Sequence, residues 1–222
     1  MSHSEKYISN GKLAAIIIVA ILLIDQAIKI WVKTSMSLHE SIRITDWFYI
    51  LFIENKGMAF GMELGSKIVL SLFRVVAIAF LIYYIRQEVR AKTRTGYIVC
   101  LAMILAGAAG NLIDCMFYGL IFNASSDFYV SYFVPFGTGY APFLMGKVVD
   151  MFYFPLIESD WPQWVPFVGG DHFIFFSPVF NFADSCISVS VVWLLLFYRK
   201  EISTISLSKN SKQSEEQEVK ES

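Results

Sequence analysis

Charge of one sign is what this 222-residue chain has least of in excess: 18 Lys and Arg against 19 Asp and Glu leave a net charge of −1. With no basic stripe to neutralise phosphates, the composition argues against a nucleic-acid partner. Cysteine is also scarce. Cys100, Cys115 and Cys186 form no C-x-x-C and no zinc spacing, and each lies in or beside an apolar run. Neither a disulfide framework nor a structural metal is expected. His3, His39 and His172 are isolated and no H-E-x-x-H occurs, so zinc-protease chemistry is unsupported, and His172 reads as a surface loop residue. No serine is placed to pair with Lys29 or Lys147. No internal repeat and no second soluble domain is visible, and no cofactor is implied.

What the chain has in abundance is apolar surface: 56% hydrophobic residues, 16% aromatic, and a mean hydropathy of +0.55. A soluble domain is about 45–50% apolar, and here the excess is gathered into blocks, which places the chain in the integral-membrane class. Crossing roughly 30 Å of hydrocarbon takes about 20 helical residues. Four segments approach that length: about 13–32, 68–85, 97–117 and 180–198. The first could pass for a cleavable signal peptide, with Lys6 and Lys12 before an apolar Leu13 to Ile24. It continues through Asp25 to Val32 without a small-residue cleavage pattern, so it reads as a retained anchor.

Basic residues cluster in the N-terminal arm (Lys6, Lys12), in the connection after the second segment (Arg86, Arg90, Lys92, Arg94) and in the tail (Arg199, Lys200, Lys209, Lys212, Lys220). The positive-inside rule then puts both termini and the middle loop in the cytoplasm. The remaining two connections face outward. The first holds Ile42-Arg43-Ile44 and Trp47 to Ile53, β-prone and aromatic, followed by a turn signal at Asn55-Lys56-Gly57. The second, about 118–179, is rich in aromatics and prolines; Trp161, Trp164 and the Phe173 to Phe176 cluster suit the headgroup level. A disordered linker would be poor in aromatics, so this loop is expected to be folded. The expected architecture is an all-α membrane protein of four transmembrane helices, with a small β-rich outward region and a long aromatic outer loop. One domain covers 1–202, and the polar 203–222 forms a disordered cytoplasmic tail.

Several polar groups stand inside these apolar runs. Asp25 and Lys29 are i,i+4 neighbours on the first span, where a structural ion pair is the favoured reading over direct chemistry. Asn111 and Asp114 lie about one turn apart on the third, after the small-residue run Gly107-Ala108-Ala109-Gly110 that lets helices approach closely. A structural hydrogen-bonding role is favoured for them as well. For Arg74, snorkelling and an interhelical pair with a carboxylate are both open. Asp150, flanked by Val148, Val149, Met151 and Phe152, and Asp184, flanked by Phe180, Phe182, Ala183 and Ile187, differ from these. Two carboxylates held close together in an apolar site cannot both ionise easily, so they share a proton. The charged member can take a proton from water while the protonated member polarises a carbonyl, which is amide hydrolysis without a covalent intermediate. Spacing alone does not establish that role. Intramembrane carboxylates also serve proton-coupled carriers, and polar residues can simply hold a helical scaffold together.

Five short blocks in order decide between these readings. Asp25-Gln26-Ala27-Ile28-Lys29, Asn55-Lys56-Gly57-Met58-Ala59-Phe60, Gly107 to Asp114, Val148-Val149-Asp150 and Phe180 to Ile187 together resemble the bacterial lipoprotein signal peptidases, the signal peptidase II family. The resemblance implies a four-span inner-membrane aspartyl endopeptidase with its site toward the periplasmic face. Its substrate would be a prolipoprotein whose lipobox cysteine carries diacylglycerol, cleaved just before that cysteine. The implied catalytic pair is Asp150 and Asp184. Asn55, Gly57, Gly110, Asn111 and Asn181 would orient site and substrate, and Asp25, Lys29 and Asp114 would support them. No metal or other cofactor is implied. Membrane lipid and globomycin-type peptide inhibitors are the other implied partners.

Two departures stand out. The family block commonly continues G-N-x-x-D-R, and here the residue after Asp114 is Cys115. A guanidinium there could pair with a carboxylate or contact substrate, which a thiol cannot do; Arg74 and Lys147 are the candidate substitutes. The second departure is the length of the outer connection 118–179, for which capping the site and recognising a partner are both open.

Overall fold

A computed structural model describes residues 9–55 and 67–203. The element order is α1 (Asn10–Ser35), β1 (Ser41–Thr45), β2 (Phe48–Asn55), α2 (Lys67–Arg90), α3 (Thr95–Ile113), a π-helical turn (Asp114–Tyr118), α4 (Gly119–Ile121), β3 (Val148–Tyr153), β4 (Ile157–Asp160), β5 (His172–Phe175), β6 (Val179–Phe180) and α5 (Phe182–Phe197). Three of the helical stretches, Asn10–Ser35, Lys67–Arg90 and Thr95–Ile121, are long and apolar enough to cross a membrane. All three run past the expected limits, because polar residues at helix ends do not stop a helix.

The last apolar helix is shorter than expected. Val179–Phe180 is a strand and Asn181 is the N-cap of α5, its side chain accepting from the Asp184 backbone N–H, so the helix has 16 residues rather than 19. Asn181 ends the apolar run for the reason asparagine favours caps: its amide competes with the helix for backbone hydrogen bonds. Beyond Tyr198 the chain is helical again over 199–203, so the tail expected from Ser203 begins on a helical residue, and its remainder lies outside the described residues.

α3 is the central helix, with α1, α2 and α5 packed around it. Its small-residue run does what its composition suggested. A Cβ on Gly107 would stand 2.5 Å from the Ala183 carbonyl oxygen, and one on Gly110 would stand 2.6 Å from Asp25 Oδ2. Only hydrogen fits at these two crossings. The outward faces carry bare apolar side chains, among them Leu72, Phe73, Val76 and Phe80 on α2 and Val192, Leu195 and Leu196 on α5, the pattern of helices solvated by lipid.

The β-prone stretch after α1 forms β1 and β2 as the sequence indicated. The expected long aromatic loop is not one loop. It supplies β3 and β6 to a four-stranded antiparallel sheet in the order β1-β2-β3-β6, and β4 and β5 to a separate hairpin. β2 and β3 pair with Ile53 opposite Asp150 and Asn55 opposite Val148. Beneath the sheet, Val32, Met36, Phe52, Tyr118, Phe122, Val149 and Met151 form a buried core that fixes β3 over the ends of α1 and α3. Burial of that apolar area sets the position of Asp150.

Candidate active site

The site is assembled outward from Lys29. Its ammonium is fully buried on α1 and reaches Asp25 Oδ2 at 2.9 Å, Asp114 Oδ2 at 2.9 Å and Asn111 Oδ1 at 2.8 Å. An ammonium has three protons and no lone pair, so these three acceptors use it completely. Asp25 and Lys29 meet because they are one turn apart on α1; Asp114 and Asn111 meet it because Gly110 lets α3 come close.

That ammonium fixes the polarity of two amides. Since Asn111 must present its oxygen to Lys29, its nitrogen faces the other way and donates to Asp184 Oδ1 at 2.7 Å. Asn111 Oδ1 also accepts from Asn181 Nδ2 at 3.1 Å. Asn181 must present its own oxygen to the Asp184 backbone N–H, at 2.9 Å, so its nitrogen also faces Asp150 Oδ1, at 2.6 Å. Asn55, the last residue of β2, hydrogen-bonds Asp150 as well. Both aspartates thus receive amide N–H groups whose direction is set from a distance.

The two carboxyls have different surroundings. Asp150 is 2% exposed on β3, and burial, then the charge of Asp184, pushes its carboxyl up to about 7. Asp184 is half-buried in the first turn of α5, where helix N–H groups face a negative charge. It is the more accessible of the two.

Two more of the expected residues make backbone contacts next to these aspartates. Asp25 Oδ1 accepts from the Ala183 backbone N–H at 3.0 Å, tying α1 to the start of α5, and Asp114 Oδ2 accepts from the Val149 N–H at 3.2 Å, tying the π-helical turn to β3. Each support carboxylate therefore holds the residue immediately before one aspartate of the pair. Gly57 lies outside the described residues. No group of three or more His, Cys, Asp or Glu residues able to hold a metal is present among the described residues.

Sequence reasoning missed two contributors. Gln26 donates to Asp25 Oδ2 at 3.1 Å and Asp114 Oδ1 at 2.9 Å and accepts from Tyr118 Oη at 3.1 Å, damping the repulsion between two buried carboxylates. Its place beside Asp25 was the available signal. The other is a second buried cluster under the sheet. Lys33 Nζ contacts Glu54 Oε1 at 2.5 Å and Ser125 Oγ at 2.8 Å, and Lys147 Nζ contacts Glu54 Oε2 at 2.6 Å. Burial pushes the Glu54 carboxyl up, but Lys33 and Lys147 outweigh it and hold it below the usual range. Replacing Glu54 with Gln strands the Lys33 charge among Phe52, Phe122 and Tyr140. The expected cost is about 3 kcal/mol or more, read as a drop of about 10 °C in Tm; an unchanged Tm would show that the pair contributes nothing.

Arg74 pairs with no carboxylate among the described residues. Its Nη1 donates to Cys115 Sγ at 3.1 Å.

Comparison with known proteins gives the constellation a family. A sequence model described as signal peptidase (SPase) II matches residues 17–199. A lipoprotein signal peptidase of Porphyromonas gingivalis is 52% identical over 197 residues, covering 88% of this chain and 87% of that protein. One of Amoebophilus asiaticus is 33% identical over 188 residues, covering 82% and 75%. Two bacterial membrane enzymes solved by the in meso method, at 2.3 Å and 1.9 Å, share the fold at 21% identity. Their TM-scores are 0.57 and 0.56, over 86% and 85% of this chain and 90% and 93% of theirs. The buried aspartates and amides therefore lie within a match that runs from the middle of α1 to the end of α5, and on that match the chain belongs to the signal peptidase II family.

Proposed function

We propose that Asp150 and Asp184 are the catalytic pair of an aspartic signal peptidase that cleaves prolipoproteins just before a diacylglyceryl-modified cysteine. Removal of signal peptides from prolipoproteins by an aspartic-type protease is the activity of the family. The observation that carries the residue assignment is the tethering of both carboxyls to one asparagine pair, with Asp150 buried and Asp184 accessible. Asp150, held protonated, polarises the scissile carbonyl. Asp184, ionised, takes a proton from the attacking water, whose oxygen adds to that carbonyl carbon. The proton passes to the leaving amide nitrogen as the C–N bond breaks. Asn55, Gly57, Gly110, Asn111 and Asn181 orient the site and the substrate backbone, and Asp25, Lys29 and Asp114 support it.

The same reading puts four helices across the inner membrane, with both termini cytoplasmic and the site toward the periplasmic face. At about 1.5 Å per residue, a 16-residue α5 reaches about 24 Å, so it spans the bilayer only with Asn181 and Asp184 near the interface. That depth is where a lipid-anchored substrate presents its cleavage point. Residues 1–202 form the peptidase domain and 203–222 a polar tail. Membrane lipid and globomycin-type peptides are the further ligands, with globomycin-type peptides competing with substrate.

The deciding assay is cleavage of one prolipoprotein with and without its diacylglyceryl group by purified enzyme. Processing of the lipidated form alone is expected; equal processing of both forms would remove the lipid from the reading. Acidity gives a second check. Activity needs Asp150 protonated, so kcat/KM should fall as pH rises through about 7, by about tenfold per unit well above it. A flat profile from about pH 6 to about pH 9 would contradict Asp150 as the acid.

A further inference from the structure

Lys67, Ser71 and Arg74 occupy one face of α2, at i, i+4 and i+7. The rest of the helix is apolar, with Leu72, Phe73 and Val76 exposed outward. The polar stripe faces the other way, onto the π-helical turn and the loop before β3. Ser71 Oγ donates to the Leu144 carbonyl oxygen at 2.8 Å, and Arg74 Nη1 donates to Cys115 Sγ at 3.1 Å.

Among the described residues these contacts leave positive charge unanswered. A guanidinium carries five N–H donors, and a thiol sulfur is a weak, neutral acceptor. Arg74 makes no salt bridge among the described residues, where Asp25 and Asp114 already serve Lys29. The Lys67 ammonium is buried and has no hydrogen-bond acceptor among the described residues. Glu54, the carboxylate on this side, is engaged by Lys33 and Lys147. Among the described residues, Lys67 and Arg74 thus have no carboxylate paired with them, while Lys33 and Lys147 share Glu54, and ionisable groups left so in a membrane protein point to a function. The position is also specific. Cys115 follows Asp114, whose carboxylate holds the N–H of Val149 beside Asp150, so Arg74 reaches the residue next to a group that positions the β3 aspartate.

We propose that Arg74 is a substrate-binding residue: its guanidinium donates to carbonyl oxygens of the lipidated prolipoprotein lying across Asp150, with Lys67 beside it. It does from α2 what a basic residue directly after the α3 aspartate would do from α3, where this chain has Cys115. The proposal rests on the signal-peptidase reading above. The carbonyls have two possible sources, the peptide backbone near the cleavage point and the glyceryl esters of the lipid.

The test is steady-state cleavage of a diacylated prolipoprotein by wild type, Arg74→Leu, Arg74→Lys, Cys115→Arg and the double variant Arg74→Leu/Cys115→Arg. Arg74→Leu should raise KM about tenfold or more with a smaller change in kcat, as expected for lost uniform binding. Arg74→Lys keeps charge and fold but loses the planar fork, and should raise KM severalfold; it carries the test if Arg74→Leu does not insert. Cys115→Arg alone should impair cleavage, because it forces a second guanidinium onto Arg74. The double variant should recover to within about threefold of wild type. An ether-linked lipid substrate separates the sources: a persistent Arg74→Leu penalty assigns the peptide carbonyls, and a vanished one assigns the esters. Unchanged KM in Arg74→Leu and Arg74→Lys would overturn the proposal, as would a double variant no better than Cys115→Arg. Failure of wild type to cleave any lipidated prolipoprotein would instead overturn the reading it rests on.

Discussion

Asp184→Asn and Asp150→Asn are each expected to abolish processing of diacylated prolipoprotein, by about a thousandfold or more in kcat, while the protein still inserts and folds. Asparagine keeps the shape of both side chains, so the helix cap at Asn181 and the sheet around β3 are undisturbed. What is lost differs between them. Asp184→Asn removes the only group of the pair exposed enough to take a proton from water. Asp150→Asn removes the acid while leaving an amide that can still donate one hydrogen bond, so any residual rate should belong to this variant and should lose its fall above pH 7. Near-normal processing in either variant would sink the assignment. A Tm within a few degrees of wild type is the control that separates chemistry from folding.

Lys29→Met should have the second largest effect, and on stability as well as rate. The substitution leaves Asp25 and Asp114 buried without their cation, a loss of about 3–5 kcal/mol and about 10 °C or more in Tm. Chemistry suffers further because Asn111 loses the shorter of the two donors that hold its oxygen away from Asp184, keeping only Asn181 Nδ2 at 3.1 Å. A flipped amide would present a carbonyl oxygen to that carboxylate in place of the N–H at 2.7 Å. Activity should therefore fall further than the folded fraction accounts for. Lys29→Arg is not expected to rescue it, since three acceptors at 2.8–2.9 Å surround a point charge and leave no plane for a guanidinium. Normal Tm and turnover in Lys29→Met would show the network to be incidental.

The parts of this site that could be read in the sequence are those held by short spacings. Asp25 and Lys29 pair one turn apart, Asn111 and Asp114 share a helix face, and the glycines before them announce a close crossing. Asp150 and Asp184 stood out because carboxylates in apolar runs require a reason. Long-range partners were not legible. Gln26 bridges α1 to α3 across 88 residues, and Lys147 finds Glu54 across 93; no local pattern encodes such pairs. The sheet order was hidden for the same reason, with β2 and β3 pairing although α2 and α3 separate them in the chain. Asn181 misled the helix boundary because its apolar flanks continue the hydrophobic run while its amide closes it.

The placement of charge along the chain also sets conditions for entering the bilayer. Asp25 and Lys29 sit on one helix, so this pair can enter the bilayer already neutralised within α1. Asp114 has no cation on α3 itself, so that helix is best accommodated once α1 is present to receive it. α5 comes last, its Ala183 N–H meeting Asp25 Oδ1 at 3.0 Å, and closes a gap the earlier helices have already shaped. The buried ion network thus favours one order of helix docking, N-terminus to C-terminus, which is also the order in which the chain is synthesised.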